Sequence, residues 1–67
     1  MYITLYFPDQ SELELEVEHV PRIGEQLAIP TENINILEWY QVINVAHYTS
    51  KKLKKVIFVA VMLKRIF

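Results

Sequence analysis

The residues best suited to chemistry are four glutamates that alternate with apolar residues near the N-terminus. They are Glu12, Glu14, Glu16 and Glu18. In a strand, side chains two residues apart lie on one face, about 7 Å from each other, and point in parallel. Parallel carboxylates do not converge on a hard cation, and carboxylates surrounded by water are poor general acids. We therefore expect a solvated acidic face for a partner, or a stripe that mimics a phosphate backbone in a partner's basic groove.

The other residues of catalytic type do not form a recognisable site. His19 and His47 lie far apart in the chain and cysteine is absent, whereas a zinc site needs three or four converging ligands. Ser11 and Ser50 fall in expected turns without a histidine and an acid beside them. A single glycine, Gly24, cannot build a phosphate-binding loop. We therefore expect no catalytic residue, cofactor or metal site, and we predict that the protein is not an enzyme.

A basic cluster is the second group of charged residues with a possible function. Lys51, Lys52, Lys54 and Lys55 follow Tyr48, and such a cluster can bind phosphates while the ring stacks on a base. The alternatives are a solvated loop that keeps a strand edge soluble, or a surface that pairs with the glutamates within the chain or across a dimer. The sequence pI near 6.1 argues against general nucleic-acid affinity.

Charge is segregated along the chain. Residues 1–38 hold eight acidic side chains and one arginine, a net charge of −7, whereas residues 39–67 hold six basic side chains and no acidic one, a net charge of +6. Together they give the overall net charge of −1. The pattern predicts one negative and one positive surface, which suits self-complementary or partner-directed binding.

The chain is short for the core that it must build. Its residues 1–67 form one domain, and a chain of this length buries only about 60% of the surface that its unfolded form exposes. Apolar residues make up 52% of the chain, and no disulfide can form without cysteine. We therefore expect a homo-oligomer, most simply a dimer. Without an apolar run of about 18 residues or a leader segment, we expect no membrane contact and a cytoplasmic location.

Alternation and turn chemistry divide the chain into short strands. Apolar, β-branched and aromatic runs predict strands at residues 2–7, 12–20, 26–29, 36–48 and 56–63. Segments rich in proline, asparagine and lysine separate the strands, and no helix longer than a turn is needed. Five or six short strands in one small domain predict an all-β fold, a strongly bent antiparallel barrel.

Several local features refine this prediction. Gly24 is the expected position for a positive φ, because it is the only glycine. The alternation slips at Asn44, which predicts a β-bulge and a bend. We expect Trp39 in the core, because large aromatic side chains dominate small cores. In the first hairpin, apolar parity favours pairing Phe7 with Leu13 across a five-residue loop.

Two segments resemble a known group of proteins. They are Val20-Pro21-Arg22-Ile23-Gly24-Glu25-Gln26-Leu27 and Trp39-Tyr40-Gln41-Val42-Ile43-Asn44-Val45-Ala46-His47. Over residues 20–63 the chain resembles small SH3-like barrel proteins of bacteria and phages. Those proteins share a Pro-x-x-Gly-acidic entry to one strand and a later Trp-Tyr-x-Val-x-x-Val-x-His strand. The resemblance implies an SH3-like barrel; many such proteins have no assigned activity, and it implies no functional residue.

The last strand has no polar face. A strand of an antiparallel barrel ordinarily has one solvated face, but here both are apolar, and large exposed apolar patches are rare on monomers. One face holds Val56, Phe58, Ala60 and Met62, and the other holds Ile57, Val59, Val61 and Leu63. The candidate interface comprises Ile57, Val59, Val61, Leu63 and Phe67.

Together these features favour a non-catalytic protein-interaction module that self-associates or docks on a protein partner. The apolar last strand would supply affinity, and the acidic and basic surfaces would set orientation. The alternatives are a small nucleic-acid-binding barrel that uses the lysines and Tyr48, or a phage-type inhibitor whose glutamates mimic nucleic acid.

Overall fold

Five apolar, β-branched and aromatic runs form the strands of one sheet. The computed structural model describes residues 1–66, and no helix occurs among them. All five predicted strands are present, with boundaries shifted by a few residues. They are β1 (Tyr2–Tyr6), β2 (Glu12–Glu16), β3 (Gln26–Pro30), β4 (Leu37–Ser50) and β5 (Lys55–Arg65).

The strands lie in the order β2-β1-β5-β4-β3, so that β2 and β3 form the open edges. The sheet curls strongly into a half-barrel. The prediction of a small, strongly bent all-β fold is therefore confirmed. The sheet is mixed rather than purely antiparallel, because the first strand runs parallel to the last while the other neighbours are antiparallel. The resemblance to SH3-like barrels stays a prediction.

The first hairpin closes more tightly than expected. Phe7 lies opposite Ser11, and its N–H donates to the Ser11 carbonyl at 3.0 Å. Leu13 pairs with Leu5, so the predicted pairing of Phe7 with Leu13 is wrong by two residues, although its parity is right. The cause is Gln10, which adopts a left-handed φ of 72° and so closes a three-residue loop of the common bulged kind.

The same loop is stabilised by Asp9. Its carboxylate accepts hydrogen bonds from the hydroxyl of Ser11 and from the Ser11 backbone N–H. Both bonds lower the pKa of Asp9, because they favour its ionised form, and the bond from the hydroxyl has the larger effect. Their contribution to stability is present above the unfolded-state pKa of Asp9 and is lost as pH falls through the lowered one.

The core lies on the inner face of the curled sheet. Phe7 meets the ring of Tyr40 edge-on at a centroid distance of 5.0 Å, although β5 separates their strands. Tyr40 points inward, so its neighbour Trp39 points outward and is 36% exposed; the prediction of a core tryptophan is wrong. The buried cluster comprises Ile3, Leu5, Tyr40, Val42, Val59, Val61 and Leu63.

Three residues of the candidate interface belong to this core. Val59, Val61 and Leu63 are at most 4% exposed, so the domain itself covers the inward side of β5 and leaves no free apolar face there. The expectation fails at these positions because β1 lies directly beside β5, a pairing between chain ends that alternation does not reveal. Ile57 is 58% exposed, and Phe67 lies outside the described residues.

Two bulges shape the long hairpin of β4 and β5. Ile43 is an extra residue on β4, which confirms the bulge predicted beside Asn44. Ile57 is an extra residue on β5 and was not predicted. Each bulge changes which face the following side chains occupy and increases the local twist.

Gly24 closes the turn before β3. Its φ is +94°, as predicted, and its N–H donates to the Val42 carbonyl at 2.8 Å. A Cβ at this position would meet no atom within 4 Å. The requirement for glycine is therefore conformational and not steric.

We expect Gly24→Ala to lower the free energy of unfolding by about 1 kcal/mol, because an L-residue in a left-handed conformation costs about 1–2 kcal/mol, partly offset by a less flexible unfolded chain. Chemical denaturation measures the change. Gln26→Ala is the matched control on the exposed strand nearby, and it should stay within about 0.5 kcal/mol of the original protein. Equal losses in the two variants would contradict the conformational argument.

Candidate interaction surface

The distal half of the β4–β5 hairpin extends beyond the rest of the sheet. β1 pairs with β5 only from Val59 onward, and β3 pairs with β4 only as far as Gln41. Residues 48–58, here called the arm, therefore form a two-stranded ribbon with no strand on either side. The arm accounts for the elongated shape of the molecule, 44 × 22 × 20 Å.

The base of the arm exposes apolar and aromatic side chains. Tyr48 and Phe58 are cross-strand partners whose rings stack at a centroid distance of 4.5 Å and an angle of 8°. Val56 and the bulged Ile57 are about half exposed. An isolated two-stranded ribbon is marginally stable in water, and these side chains have no further strand to cover them.

The tip of the arm carries the basic cluster. Strand pairing ends at Ser50 and Lys55, and the hydroxyl of Ser50 accepts a hydrogen bond from the Leu53 N–H at 3.0 Å. Lys54 adopts a left-handed φ of 54° that reverses the chain. The result is a short loop that presents four exposed lysines, Lys51, Lys52, Lys54 and Lys55.

The glutamates of β2 lie on the outer face at one edge of the sheet. Glu16 pairs with Tyr2, Glu14 with Thr4, and Glu12 with Tyr6. Together with the base of the arm these residues enclose an open groove of about 500 Å³, here called the acidic groove. It is lined by Tyr2, Thr4, Tyr6, Glu12, Glu14, Ile57 and Phe58. Glu18 is exposed just beyond the end of β2.

The acidic groove and the lysine tip are not neutralised by ion pairs within the part of the chain that the structure describes. No lysine of the arm and no glutamate of the groove forms an ion pair among residues 1–66. The two patches lie at different places along the molecule because β4 and β5 carry the lysines past the end of β1. The charges that are segregated in the sequence are therefore also separated in space. The acidic surface is the groove beside β2, and the basic surface is the tip of the arm.

The histidines do not assemble with other ligands. His19 is exposed after β2, and His47 lines an apolar cleft of about 280 Å³ beside Met1, Tyr2 and Val56. Among residues 1–66 no three histidine, aspartate or glutamate side chains cluster as metal ligands would.

A polar cluster at the opposite end of β4 was not predicted. Glu38 accepts a hydrogen bond from the Tyr40 hydroxyl and forms an ion pair with Arg65 at 3.3 Å. The hydrogen bond to Glu38 raises the pKa of Tyr40 above 10.0, with burial and the charge of Glu38 acting in the same direction and Arg65 opposing them. Glu38 and Tyr40 are two residues apart on β4, so their side chains lie on the same face of the strand. This i, i+2 spacing is the feature of the sequence that could have indicated their contact.

We expect Tyr40→Phe to reduce the loss of stability that accompanies a change from neutral to alkaline pH. A tyrosine whose folded-state pKa is raised contributes stability that is present below its unfolded pKa, about 10, and is lost as pH rises through the folded value. We expect the variant to be less stable at neutral pH by about 1–2 kcal/mol and to lose less on going to alkaline pH. Denaturant titrations at both pH values test this, with Tyr2→Phe as the exposed control. An unchanged alkaline loss in Tyr40→Phe would contradict the assignment.

No protein-family model, curated protein or solved structure that was compared with the chain matches it. The described residues contain no helix of the length and hydropathy needed to span a membrane.

Proposed function

We propose that this protein is a non-catalytic interaction module that self-associates through its arm. The observation that carries the proposal is the exposed apolar surface on a ribbon that the rest of the domain leaves uncovered. Val56, Ile57 and Tyr48 are each about half exposed there, beside the similarly exposed Met1 and Tyr2. The proposed contact surface is therefore on the arm and not on the inward side of β5, because that side is buried in the core.

Burying this apolar surface against a second copy is energetically favourable. Fully burying a large aliphatic side chain contributes about 1.5–3 kcal/mol, and a two-fold contact uses every side chain twice. Two or three half-exposed side chains per copy thus supply several kcal/mol, a substantial share of the roughly 5–15 kcal/mol by which domains are stable. Association would also give the marginal ribbon the neighbour that it lacks.

The proposal includes a cytoplasmic setting. The chain contains no cysteine, which is compatible with a reducing compartment, where disulfides do not supply stability. Self-association then supplies what a disulfide supplies in small secreted domains.

We expect the unsubstituted protein to elute as a species of twice 8.0 kDa and Ile57→Ser to shift it toward the monomer. The substitution removes apolar area from both sides of a two-fold contact, so the dissociation constant should rise at least about tenfold. Size exclusion with light scattering over a concentration series measures this at low and high salt. An apolar contact should persist at high salt.

Ile34→Ser is the matched control. Ile34 is an isoleucine of the loop before β4, 78% exposed and not part of the arm, so its replacement should leave the dimer unchanged. A monomer of 8.0 kDa for the original protein at all concentrations would refute self-association. Equal weakening by both substitutions would show that the arm is not the contact.

Nucleic-acid binding is the second candidate. It is favoured by one observation, the four lysines at the tip of a protruding ribbon next to the Tyr48–Phe58 ring pair. A basic ribbon with an aromatic ring pair can bind a single strand, because its lysines contact phosphates and its rings stack on bases. The acidic groove argues against it, since its carboxylates repel phosphates.

This second candidate predicts that a labelled single-stranded oligonucleotide binds and that affinity falls linearly with salt on logarithmic axes. Lys52→Gln should reduce the slope by about 0.7, the value for one phosphate contact to a single strand, and Glu32→Gln, in a distant loop, should leave it unchanged. Fluorescence anisotropy measures both. No change in anisotropy at low salt would exclude this function.

A further inference from the structure

The groove and the arm tip have complementary charge and comparable length. The strand ladder of the arm ends at Ser50 and Lys55, two paired positions or about 7 Å beyond Phe58, and the lysine turn of residues 51–54 extends beyond it. The glutamates extend about 13 Å along β2, from Glu16 near the base of the arm to Glu12 at the far end. With the turn and the lysine side chains added, the tip of an arm that lies alongside the groove reaches its glutamates.

The base of the arm lines the groove of its own chain, but the lysine tip cannot lie in it. The two strands of the arm are direct continuations of β4 and β5, which lead away from the far end of the groove. The arm of a second copy meets no such restriction. If two copies run antiparallel, each arm passes back over the other's outer face, from Tyr2 toward Glu12.

We propose that the acidic groove is the seat for the arm of a second copy of this chain, in a two-fold, reciprocal contact. This deepens the self-association proposed above and depends on it. Ile57 and Val56 of one copy pack on the tyrosines of β1 in the other, and the lysine tip lies along Glu12 and Glu14. Each copy donates one arm and accepts one.

A second copy matches the observed surfaces in charge as well as in shape. The tip carries four lysines, and the stripe beside the groove carries Glu12, Glu14 and Glu16, none of them in an ion pair among residues 1–66. In the antiparallel arrangement both tips face carboxylates, whereas a parallel arrangement would bring tip against tip. Like charges brought together disfavour the wrong arrangement, so the charges select the orientation while the apolar side chains supply affinity.

Charge reversal in two separate variants tests the arrangement. The arm variant carries Lys51→Glu, Lys52→Glu, Lys54→Glu and Lys55→Glu. The groove variant carries Glu12→Lys, Glu14→Lys and Glu16→Lys. The first has an acidic arm and an acidic groove, and the second has a basic arm and a basic groove, so neither can pair with itself.

We expect each variant alone to dissociate at least tenfold more readily than the original protein, and an equimolar mixture to recover the dimer as a heterodimer. Sedimentation velocity measures the association, and native mass spectrometry identifies the heterodimer by mass. The penalty in the separate variants should shrink at high salt, because the Debye length falls from about 10 Å at 0.1 M to about 3 Å at 1 M.

The outcomes separate the two proposals. A monomeric original protein refutes self-association itself. A dimeric original protein with either variant alone associating as tightly as the original, or with no heterodimer in the mixture, overturns the arm-in-groove contact while self-association stands. Circular dichroism and cooperative thermal unfolding check that each variant folds. If a full variant does not fold, the single reversals Lys55→Glu and Glu14→Lys are compared and mixed in the same way, with the same outcomes.

Discussion

The structure depends on the strand pairing of β5, which has β1 on one side and β4 on the other for only part of its length. Where both neighbours are present, Val59, Ala60 and Val61 are buried on both faces of the sheet. This resembles the strands of parallel sheets, whose apolar runs are covered on both sides. Before Val59 only β4 accompanies β5, and the same apolar pattern becomes exposed. One uninterrupted apolar strand thus builds the core in one half and an exposed apolar surface in the other.

Local patterns in the sequence predict the strands well, because alternation depends only on neighbouring residues. The apolar residues of β2 share a face as expected, and the slip at Asn44 locates a bulge. The register of the first hairpin was not predictable in the same way. It depends on Gln10 adopting a left-handed conformation, which is common for glycine and asparagine but rare for glutamine.

The candidate interface was less predictable because it depends on contacts between distant parts of the chain. The apolar pattern at Val59 and Val61 is the same whether β1 or a second molecule covers it, and only the parallel pairing of the chain's ends decides. The bulge at Ile57 has no glycine or proline to indicate it. Exposure of Ile57 and burial of Val59 therefore follow from where β1 begins, which is a property of the sheet and not of β5.

The charge segregation has a physical role only in combination with this geometry. In a compact barrel, eight acidic and seven basic side chains would lie close enough to neutralise one another. Here the arm carries four lysines past the end of β1, about one Debye length beyond its base at 0.1 M salt, so screening weakens their attraction to their own glutamates. In the proposed two-fold contact a second copy brings both the matching charge and an uncovered apolar ribbon, so that this one contact would satisfy both deficiencies of a domain too small to satisfy either alone.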